Sequence, residues 1–205
     1  VKALMYSTAD FAPGERGFLS FAAEMSVTTF GTEANPFGAD PGDVRLACGT
    51  FNAIDLKTAV VFDFFVSNNQ VVALYERLPF ALSQDNPYPL FTELIPTGVT
   101  TTAGEWHDYE IAYDRKNDRA EWLVDGAVVT VRESIGAPPG EHAPVVKLGS
   151  VKIGGGLFTL LDDLHNDRKR TGDGAKTPGL DPQYRRTLFG QGARVAFRSF
   201  RVTQA

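Results

Sequence analysis

Two aspartates and a histidine stand close together where an apolar run ends, as Asp162, Asp163 and His165. These side chains could act as general acid and base, because histidine titrates near neutral pH and a carboxyl can be tuned to do so. The aspartates could instead bind Ca²⁺, which prefers carboxylate and carbonyl oxygens. Their spacing matches no fixed metal-binding pattern, so no metal is predicted, and capping of a strand end is the more frequent role of such residues.

A second candidate site combines polar and aromatic residues on predicted strands. Alternate residues of a strand face the same side, so Tyr75 and Arg77 share one face and Glu76 points to the other. The tyrosine could stack on a sugar ring, and the arginine could bind a carboxylate through two hydrogen bonds. Asp63 on a neighbouring strand is their expected partner, and Trp106 could also stack on a sugar. The structural alternatives are a cross-strand ion pair and packing of the tryptophan.

Other reactive side chains fit structural roles better. His107 lies beside aromatic residues on a predicted strand, which is typical of a hydrogen-bonded structural histidine. Cys48 is the single cysteine, so it cannot form an internal disulfide, and we expect it to be buried. The sequence has no G-x-S-x-G elbow, no phosphate-binding Walker loop and no dinucleotide fingerprint, so no cofactor is predicted.

The elements that must position these residues are strands, and the clearest are in a hairpin region. From Trp106 to Tyr113 the residues alternate between two faces, the period of a strand with one buried side. The alternation resumes from Ala120 to Val124 after a polar turn. Asp125-Gly126 then predicts a tight turn, because both residues tolerate positive φ, and a third strand from Ala127 to Arg132 follows.

Runs of β-branched and aromatic residues bounded by glycine and proline predict the remaining strands. They lie at Phe18–Phe30, Val44–Ile54, Thr58–Ser67, Val71–Leu78, Phe91–Thr102, Val145–Leu148, Ser150–Leu161 and Arg194–Val202. Residues 1–17 are expected to be a lead-in segment. Three successive glycines, Gly154 to Gly156, predict a bulge or a close approach of backbone or ligand. The polar stretch from Asp162 to Arg186 predicts a long loop, of the kind used as a lid or binding loop or left disordered.

Length and composition limit the class of protein. A chain of 205 residues with many short strands and no convincing helix predicts one all-β domain, residues 1–205, a jelly roll or β-sandwich. The net charge of −5 argues against nucleic acid as a partner, and no apolar run is long enough for a membrane span. No signal peptide is recognised at the start of the given sequence, so the compartment is open, with a slight preference for the cytoplasm.

Two segments of the hairpin resemble the concanavalin A-like lectin and glucanase superfamily. They are W-H-x-Y-x-I from Trp106 and W-x-V-D-G from Trp122. VFDFF at 61–65, ALYERLPF at 73–80, GGGLFTLLD at 154–162 and LFGQGA at 188–193 resemble a bacterial and fungal group of that superfamily with no assigned activity. The resemblance implies a jelly-roll β-sandwich of two antiparallel sheets, distantly similar to laminarinase-type glycoside hydrolases.

The chain departs from those enzymes at their catalytic motif. Laminarinase-like hydrolases carry E-x-D-x-x-E, which places two glutamates on one sheet face as nucleophile and acid/base. The sequence has no such motif, and its nearest strand acids, Asp63 and Glu76, lie on different strands. A retaining glycosidase of that type is therefore not expected, since a shared fold does not carry the activity with it.

The sequence predicts a soluble protein that binds a small polar or carbohydrate-like ligand on a concave sheet, through Asp63, Tyr75, Arg77 and Trp106. The first alternative is an enzyme of unassigned reaction, such as a lyase, hydrolase or isomerase acting on a glycan or natural product. It would use Asp162, Asp163 or His165. The second alternative is a structural or self-associating sandwich. The sequence does not fix the oligomeric state.

Overall fold

The computed structural model of the chain describes residues 2–78, 91–138, 146–161 and 188–205. These residues form strands and one short 3-10 helix, Thr32–Ala34. The strands are β1 (Lys2–Tyr6), β2 (Phe18–Phe30), β3 (Cys48–Asp55), β4 (Val60–Val66), β5 (Val71–Arg77), β6 (Phe91–Pro96), β7 (Trp106–Asp114), β8 (Arg119–Val124), β9 (Ala127–Glu133), β10 (Lys152–Phe158) and β11 (Gly192–Gln204).

The strands pair into two antiparallel sheets. The six-stranded sheet has the order β1-β10-β3-β4-β5-β6, and the five-stranded sheet has the order β11-β2-β7-β8-β9. The two sheets pack face to face, so the predicted jelly-roll β-sandwich is confirmed. The chain crosses between the sheets several times, and residues far apart in sequence therefore become neighbours on one sheet.

The hairpin region folds as its sequence pattern predicts. Strands β7, β8 and β9 pair consecutively in the five-stranded sheet. Asp125 and Gly126 have φ of 51° and 80°, the left-handed values that a tight hairpin turn requires. Tyr109, Ile111 and Tyr113 are buried in the core on the inward face, as the alternation indicates.

The core between the sheets is rich in aromatic rings. Trp122 of β8 is fully buried and meets the Phe62 ring edge-on, with 5.4 Å between ring centroids. Its indole Nε1–H donates a hydrogen bond of 3.0 Å to the backbone carbonyl of Asp63. The bond satisfies a buried donor and ties β8 to the backbone of β4 across the core.

A second apolar layer covers the other face of the six-stranded sheet, which we call the outer face. Cys48, Ile54, Val61, Phe65 and Leu74 form part of a separate buried cluster there. Every residue of β3 and β4 is therefore buried, so neither strand has a solvent-facing side. Such strands read as continuous apolar runs rather than alternating ones.

The structure corrects two expectations about the chain. The lead-in segment contains β1, which pairs with β10, and a bridge between Phe11 and Val151. The described part of the expected strand at 145–148, from Val146 onward, is not in a strand. The three glycines lie in β10 without a break in register, and the close approach that they predict is confirmed.

Candidate functional site

Polar side chains of four strands meet on the outer face of the six-stranded sheet. Tyr6 of β1 is opposite Gly154 of β10, Gly154 is opposite Asn52 of β3, and Asn52 is opposite Asp63 of β4. Directly paired residues share a face, so the three polar side chains line up on one side. Glu76 of β5 lies diagonally from Asp63, because Asp63 pairs with Leu74. We call Tyr6, Asn52, Asp63 and Glu76 the polar row.

Gly154 lets Tyr6 reach across the sheet toward the rest of the row. A Cβ at Gly154 would lie 2.5 Å from Cδ1 of the Tyr6 ring and 2.5 Å from the Met5 carbonyl oxygen. Only a residue without a side chain leaves room for the ring to lie over β10. Tyr6 is 42% exposed, so the aromatic end of the row meets solvent.

Asp63 is a carboxyl held in the apolar layer. It is 4% exposed and is surrounded on the outer face by the buried apolar cluster. Burial raises the pKa of Asp63 well above its usual range, and the neighbouring Glu76 carboxyl raises it further. Three groups lower the pKa of Asp63 without cancelling this rise: the Phe64 backbone amide, the Asn52 side chain and Lys2. Asp63 is therefore held toward its neutral form, because burial in an apolar layer disfavours the charged carboxylate.

Glu76 is the more accessible carboxyl of the pair. Its side chain is partly exposed and accepts a 3.1 Å hydrogen bond from the Thr92 hydroxyl of β6. Burial raises the pKa of Glu76, while Thr92 and Lys2 oppose that rise. Lys2 Nζ lies 3.9 Å from the centroid of the Phe158 ring. The pair thus combines a deep carboxyl with one nearer the surface.

Two oxygens of the polar row lack hydrogen-bond partners within the described residues. They are Oδ1 of Asn52 and Oδ1 of Asp63, and both are inaccessible to water. Asn52 is 1% exposed, so its amide is a buried polar group in an otherwise apolar layer. Unsatisfied buried acceptors cost stability and are rare in native proteins. They point to hydrogen-bond donors that the described residues do not supply.

The expected grouping of Tyr75 and Arg77 with Asp63 is wrong. Both residues lie on the inner face of β5 and are 1% and 2% exposed. The Tyr75 hydroxyl accepts a 2.6 Å hydrogen bond from the Gly136 amide and donates to the Ala137 carbonyl, and Arg77 Nη1 donates to the Gly136 carbonyl. These contacts anchor the loop after β9. The face that holds Asp63 therefore bears Glu76, which the alternation had assigned to the opposite side from Tyr75.

Trp106 lies away from the polar row. It stands on the other sheet, at the start of β7, and is 39% exposed. The Arg198 guanidinium lies 4.3 Å from the centroid of its ring. Of the predicted ligand-binding residues, Asp63 alone belongs to the row, and Trp106 is covered in part by a cation–π contact.

His107 and Cys48 have structural surroundings. The His107 ring nitrogen Nδ1 lies 2.7 Å from Oδ2 of Asp125, and Oδ1 of the same carboxylate accepts a bond from the Asp108 amide. This contact closes the turn end of the hairpin.

Cys48 is fully buried, and its Sγ–H donates a hydrogen bond to the Phe158 carbonyl. Burial raises the pKa of the Cys48 thiol well above the usual range. A buried thiol of this kind is unreactive.

The predicted catalytic residues Asp162, Asp163 and His165, with the whole loop from Asp162 to Arg186, lie outside the described residues. Their role as acid, base or Ca²⁺ ligand stays a prediction. In the part of the chain that the structure describes, no three histidine, cysteine or acidic side chains come close enough together to hold a metal ion. That part also contains no helix with the length and apolar character of a membrane span.

An apolar groove of about 540 Å³ lies beside the aromatic end of the row. Its side chains come from β1, β10 and β11, and they include Met5, Tyr6, Ile153, Val195, Phe197 and Phe200. Met5 and Phe200 are 71% and 53% exposed. Tyr6 lines both the groove and the row, but Ile153, Val195 and Phe197 of the groove belong to or pack against the core between the sheets and not the outer face.

Comparison with protein families decides the classification of the chain. The model of a family described as "Family of unknown function (DUF6081)" matches residues 1–205, the whole sequence. The chain belongs to this family. A 45-residue segment is 53% identical to an uncharacterized protein of Acanthamoeba polyphaga mimivirus and covers 22% of this chain. The match spans a tenth of the viral protein's length.

Solved structures similar to this DUF6081 protein share its sandwich. One is the structure titled "Crh5 transglycosylase in complex with NAG", with a TM-score of 0.53, 17% identity and coverage of 98% of this chain and 68% of that one. The apo Crh5 transglycosylase gives a TM-score of 0.50 at 16% identity, over 93% of this chain and 65% of that one. At such low identity the similarity establishes the concanavalin A-like fold and nothing about activity.

Sequence reasoning about this DUF6081 chain missed Tyr6 and Asn52. Tyr6 lies in the segment taken as a lead-in, and nothing local in the sequence indicates that it pairs with β10. Asn52 carried a usable signal, because it interrupts the apolar run of β3 as Asp63 interrupts that of β4. Polar residues inside two adjacent continuous apolar strands are costly, so their pairing could have suggested a site.

Proposed function

We propose that the polar row binds a small polar ligand of the carbohydrate type. The observation that supports this most is the pair of buried Oδ1 atoms of Asn52 and Asp63, which have no hydrogen-bond partner among the described residues. Sugar hydroxyls can supply the missing donors. A protonated Asp63 can also donate a hydrogen bond, so the row can both donate hydrogen bonds to sugar hydroxyls and accept hydrogen bonds from them.

The accessible ends of the row suit entry of such a ligand. Tyr6 and Glu76 are the exposed or partly exposed members, and Asn52 and Asp63 lie between them at greater depth. The tyrosine ring offers an apolar face to a sugar ring, and Glu76 offers a carboxyl at the rim.

The fold adds weight to a glycan rather than another polar molecule. The similar transglycosylase structure is titled as a complex with NAG, a sugar. This support is by analogy of fold, so the hydrogen-bonding argument remains the main one.

A second candidate is an enzyme that acts on the same glycan. Asp63 and Glu76 are carboxyls on neighbouring strands of one face, and the pKa of each is raised. A carboxyl with a raised pKa can serve as general acid near neutral pH while its partner accepts a proton or stabilises charge. If turnover occurs, Glu76 is the better placed acid, because it is the more exposed of the two.

Self-association is less favoured as the main role. The edge strand β11 has a break in register between Arg198 and Arg201. Its arginines pair with acidic residues of the neighbouring strands, as in the Arg198–Glu24 contact of 2.9 Å. Bulges and charges on an edge strand are devices that prevent edge-to-edge pairing.

Calorimetry and thermal unfolding with a panel of neutral, amine-bearing and acidic oligosaccharides test the binding proposal. A ligand at 100 times its dissociation constant stabilises a protein by about 2.7 kcal/mol. Asn52→Leu removes the unpaired acceptor and fits the apolar layer, so we expect at least tenfold weaker binding from a folded variant. Asn69→Leu, in an exposed turn, is the matched control and should bind normally.

Two results would count against the proposal. One is that no oligosaccharide binds the wild-type protein at millimolar concentration. The other is that Asn52→Leu binds as tightly as the wild type. For the enzymatic alternative, mass spectrometry of the bound glycan after long incubation detects turnover, and Glu76→Gln should abolish it while leaving binding measurable.

A further inference from the structure

We infer that the polar row selects its glycan by charge, binding an amine-bearing sugar in preference to a neutral one and rejecting a uronic acid. This inference rests on the proposed function and specifies its ligand class. It depends on three features of the row: the arrangement of its carboxyls, the positions of nearby cations and the kind of atom left without a partner.

The two carboxyls are diagonal neighbours, and within the described residues neither makes an ion pair. Diagonal neighbours on adjacent strands have Cα atoms about 7–8 Å apart, within reach of a shared ligand group. Asp63 and Glu76 have this relationship, and neither makes an ion pair within the described residues. Lys2 lowers the pKa of both carboxyls from a distance, so within the described residues a ligand cation would be the first counter-charge in ion-pair contact with them.

Among the described residues, the cations near the sheet make no ion pair with the carboxyls of the row. Arg77 lies on the opposite face and bonds the Gly136 carbonyl, and Arg132 Nε lies 2.9 Å from Oε2 of Glu93. Lys2 is placed over the Phe158 ring and lowers the pKa of both carboxyls, but it makes no ion pair with either within the described residues. Recognition of a sugar carboxylate normally uses a guanidinium or ammonium aimed at it, and the described part of the row contains neither.

The unpartnered atoms of the row are oxygens that accept hydrogen bonds. Oδ1 of Asn52 and Oδ1 of Asp63 are the two, and Asn52 is 1% exposed. An ammonium group has three donors and no acceptor, so it complements such atoms. A carboxylate has only acceptors, so it cannot satisfy the unpaired Oδ1 of Asn52, and it would lie beside the Glu76 carboxyl. The row therefore matches a protonated amine and opposes a uronate.

Three β-1,4-linked oligosaccharides of equal length separate the alternatives. They are built from glucosamine, N-acetylglucosamine and glucuronic acid, and binding is measured by calorimetry at about pH 6, where sugar amines carry a proton, and at low salt to limit screening. We expect the glucosamine oligomer to bind at least tenfold more tightly than the N-acetylated one. The glucuronic acid oligomer should show no measurable binding.

Substitutions at Glu76 test the cause of this selectivity. Glu76→Gln should remove the tenfold preference for the amine while retaining the neutral oligomer, and Glu76→Lys should allow the uronate to bind. Glu121→Gln, on the five-stranded sheet, is the control and should keep the wild-type order. Circular dichroism and thermal unfolding verify that each variant is folded.

The outcomes distinguish this inference from the proposed function. Equal or tighter binding of the uronate to the wild type would overturn the inference and leave glycan binding in place. An amine preference that survives in Glu76→Gln would also overturn it, because the selectivity would then arise elsewhere. Absence of binding by all three oligomers would overturn both.

Discussion

Replacing Asp63 by asparagine removes a carboxyl that the fold holds in an apolar layer and leaves a neutral side chain of the same shape. Burial and the Glu76 carboxyl raise the pKa of Asp63 well above its usual range. The folded protein therefore keeps a proton on Asp63 at pH values where the unfolded chain has released it. The stabilising contribution is fully present below the unfolded pKa, near 4, and is lost as the pH rises through the folded value.

The size of the effect follows from linkage between protonation and folding. Between the two pKa values the free energy of unfolding falls by about 1.4 kcal/mol for each pH unit. For chains of this size about 1 kcal/mol corresponds to 2–4 °C in Tm, so the Asp63 contribution is roughly 3–6 °C per pH unit. Asp63→Asn lacks this contribution, and we expect its Tm to rise relative to wild type as the pH increases from about 4 to 7.

Thermal unfolding of both proteins across this pH range measures the difference directly. Asp114→Asn is a control of opposite sign, because Asp114 is also buried, at 5% exposure. Burial alone would raise the pKa of Asp114, but hydrogen bonds from Asn117 and Lys116 outweigh it and lower the pKa. This variant should lose about 1–3 kcal/mol at neutral pH and regain it as acid protonates the wild-type carboxylate. A constant difference between Asp63→Asn and wild type at every pH would refute the reasoning.

Two further substitutions test the structural assignments. Tyr75→Phe removes the hydroxyl that joins the Gly136 amide and the Ala137 carbonyl, so it should cost about 1–3 kcal/mol in urea unfolding and leave glycan affinity unchanged. Weaker glycan binding with unchanged stability would show instead that Tyr75 contributes to ligand binding. Gly154→Ala places a Cβ 2.5 Å from the Met5 carbonyl oxygen, so we expect a loss of about 1–3 kcal/mol and faster hydrogen exchange in β1. Wild-type exchange rates there would contradict the close packing of β1 on β10.

The hairpin could be predicted from sequence because its determinants are local. Trp106 to Tyr113 alternates in burial, and the Asp125-Gly126 turn has the two positive φ values that its residue types tolerate. The same reasoning gave most of the other strands to within a few residues. It failed for β1, a strand of only five residues, KALMY, whose alanine, leucine and methionine favour a helix more than a strand. Its pairing partner lies about 150 residues away, beyond any local signal.

The composition of the site was harder to predict because β4 and β5 are buried on both faces. Where one face of a strand is exposed to solvent, alternation in polarity shows which residues face the core. Here VVFDFFV and VVALYER are almost entirely buried, so polarity does not show which face is which. The alternation of Tyr75, Glu76 and Arg77 was correct. The missing information was the register between the strands, which places Asp63 opposite Leu74 and thus on the face of Glu76.

That register also gives the strongest argument that the polar row serves a ligand. Asn52 and Asp63 would be less costly to the fold as apolar residues, because each leaves a buried oxygen without a partner within the described residues. Trp122 holds the Asp63 backbone in place through its indole N–H, although the side chain of Asp63 is unfavourable where it lies. A position that is fixed by the core but occupied by a destabilising group is typical of a binding site. The predicted gain in stability of Asp63→Asn and loss of binding in Asn52→Leu are therefore two measurements of the same conflict between folding and recognition.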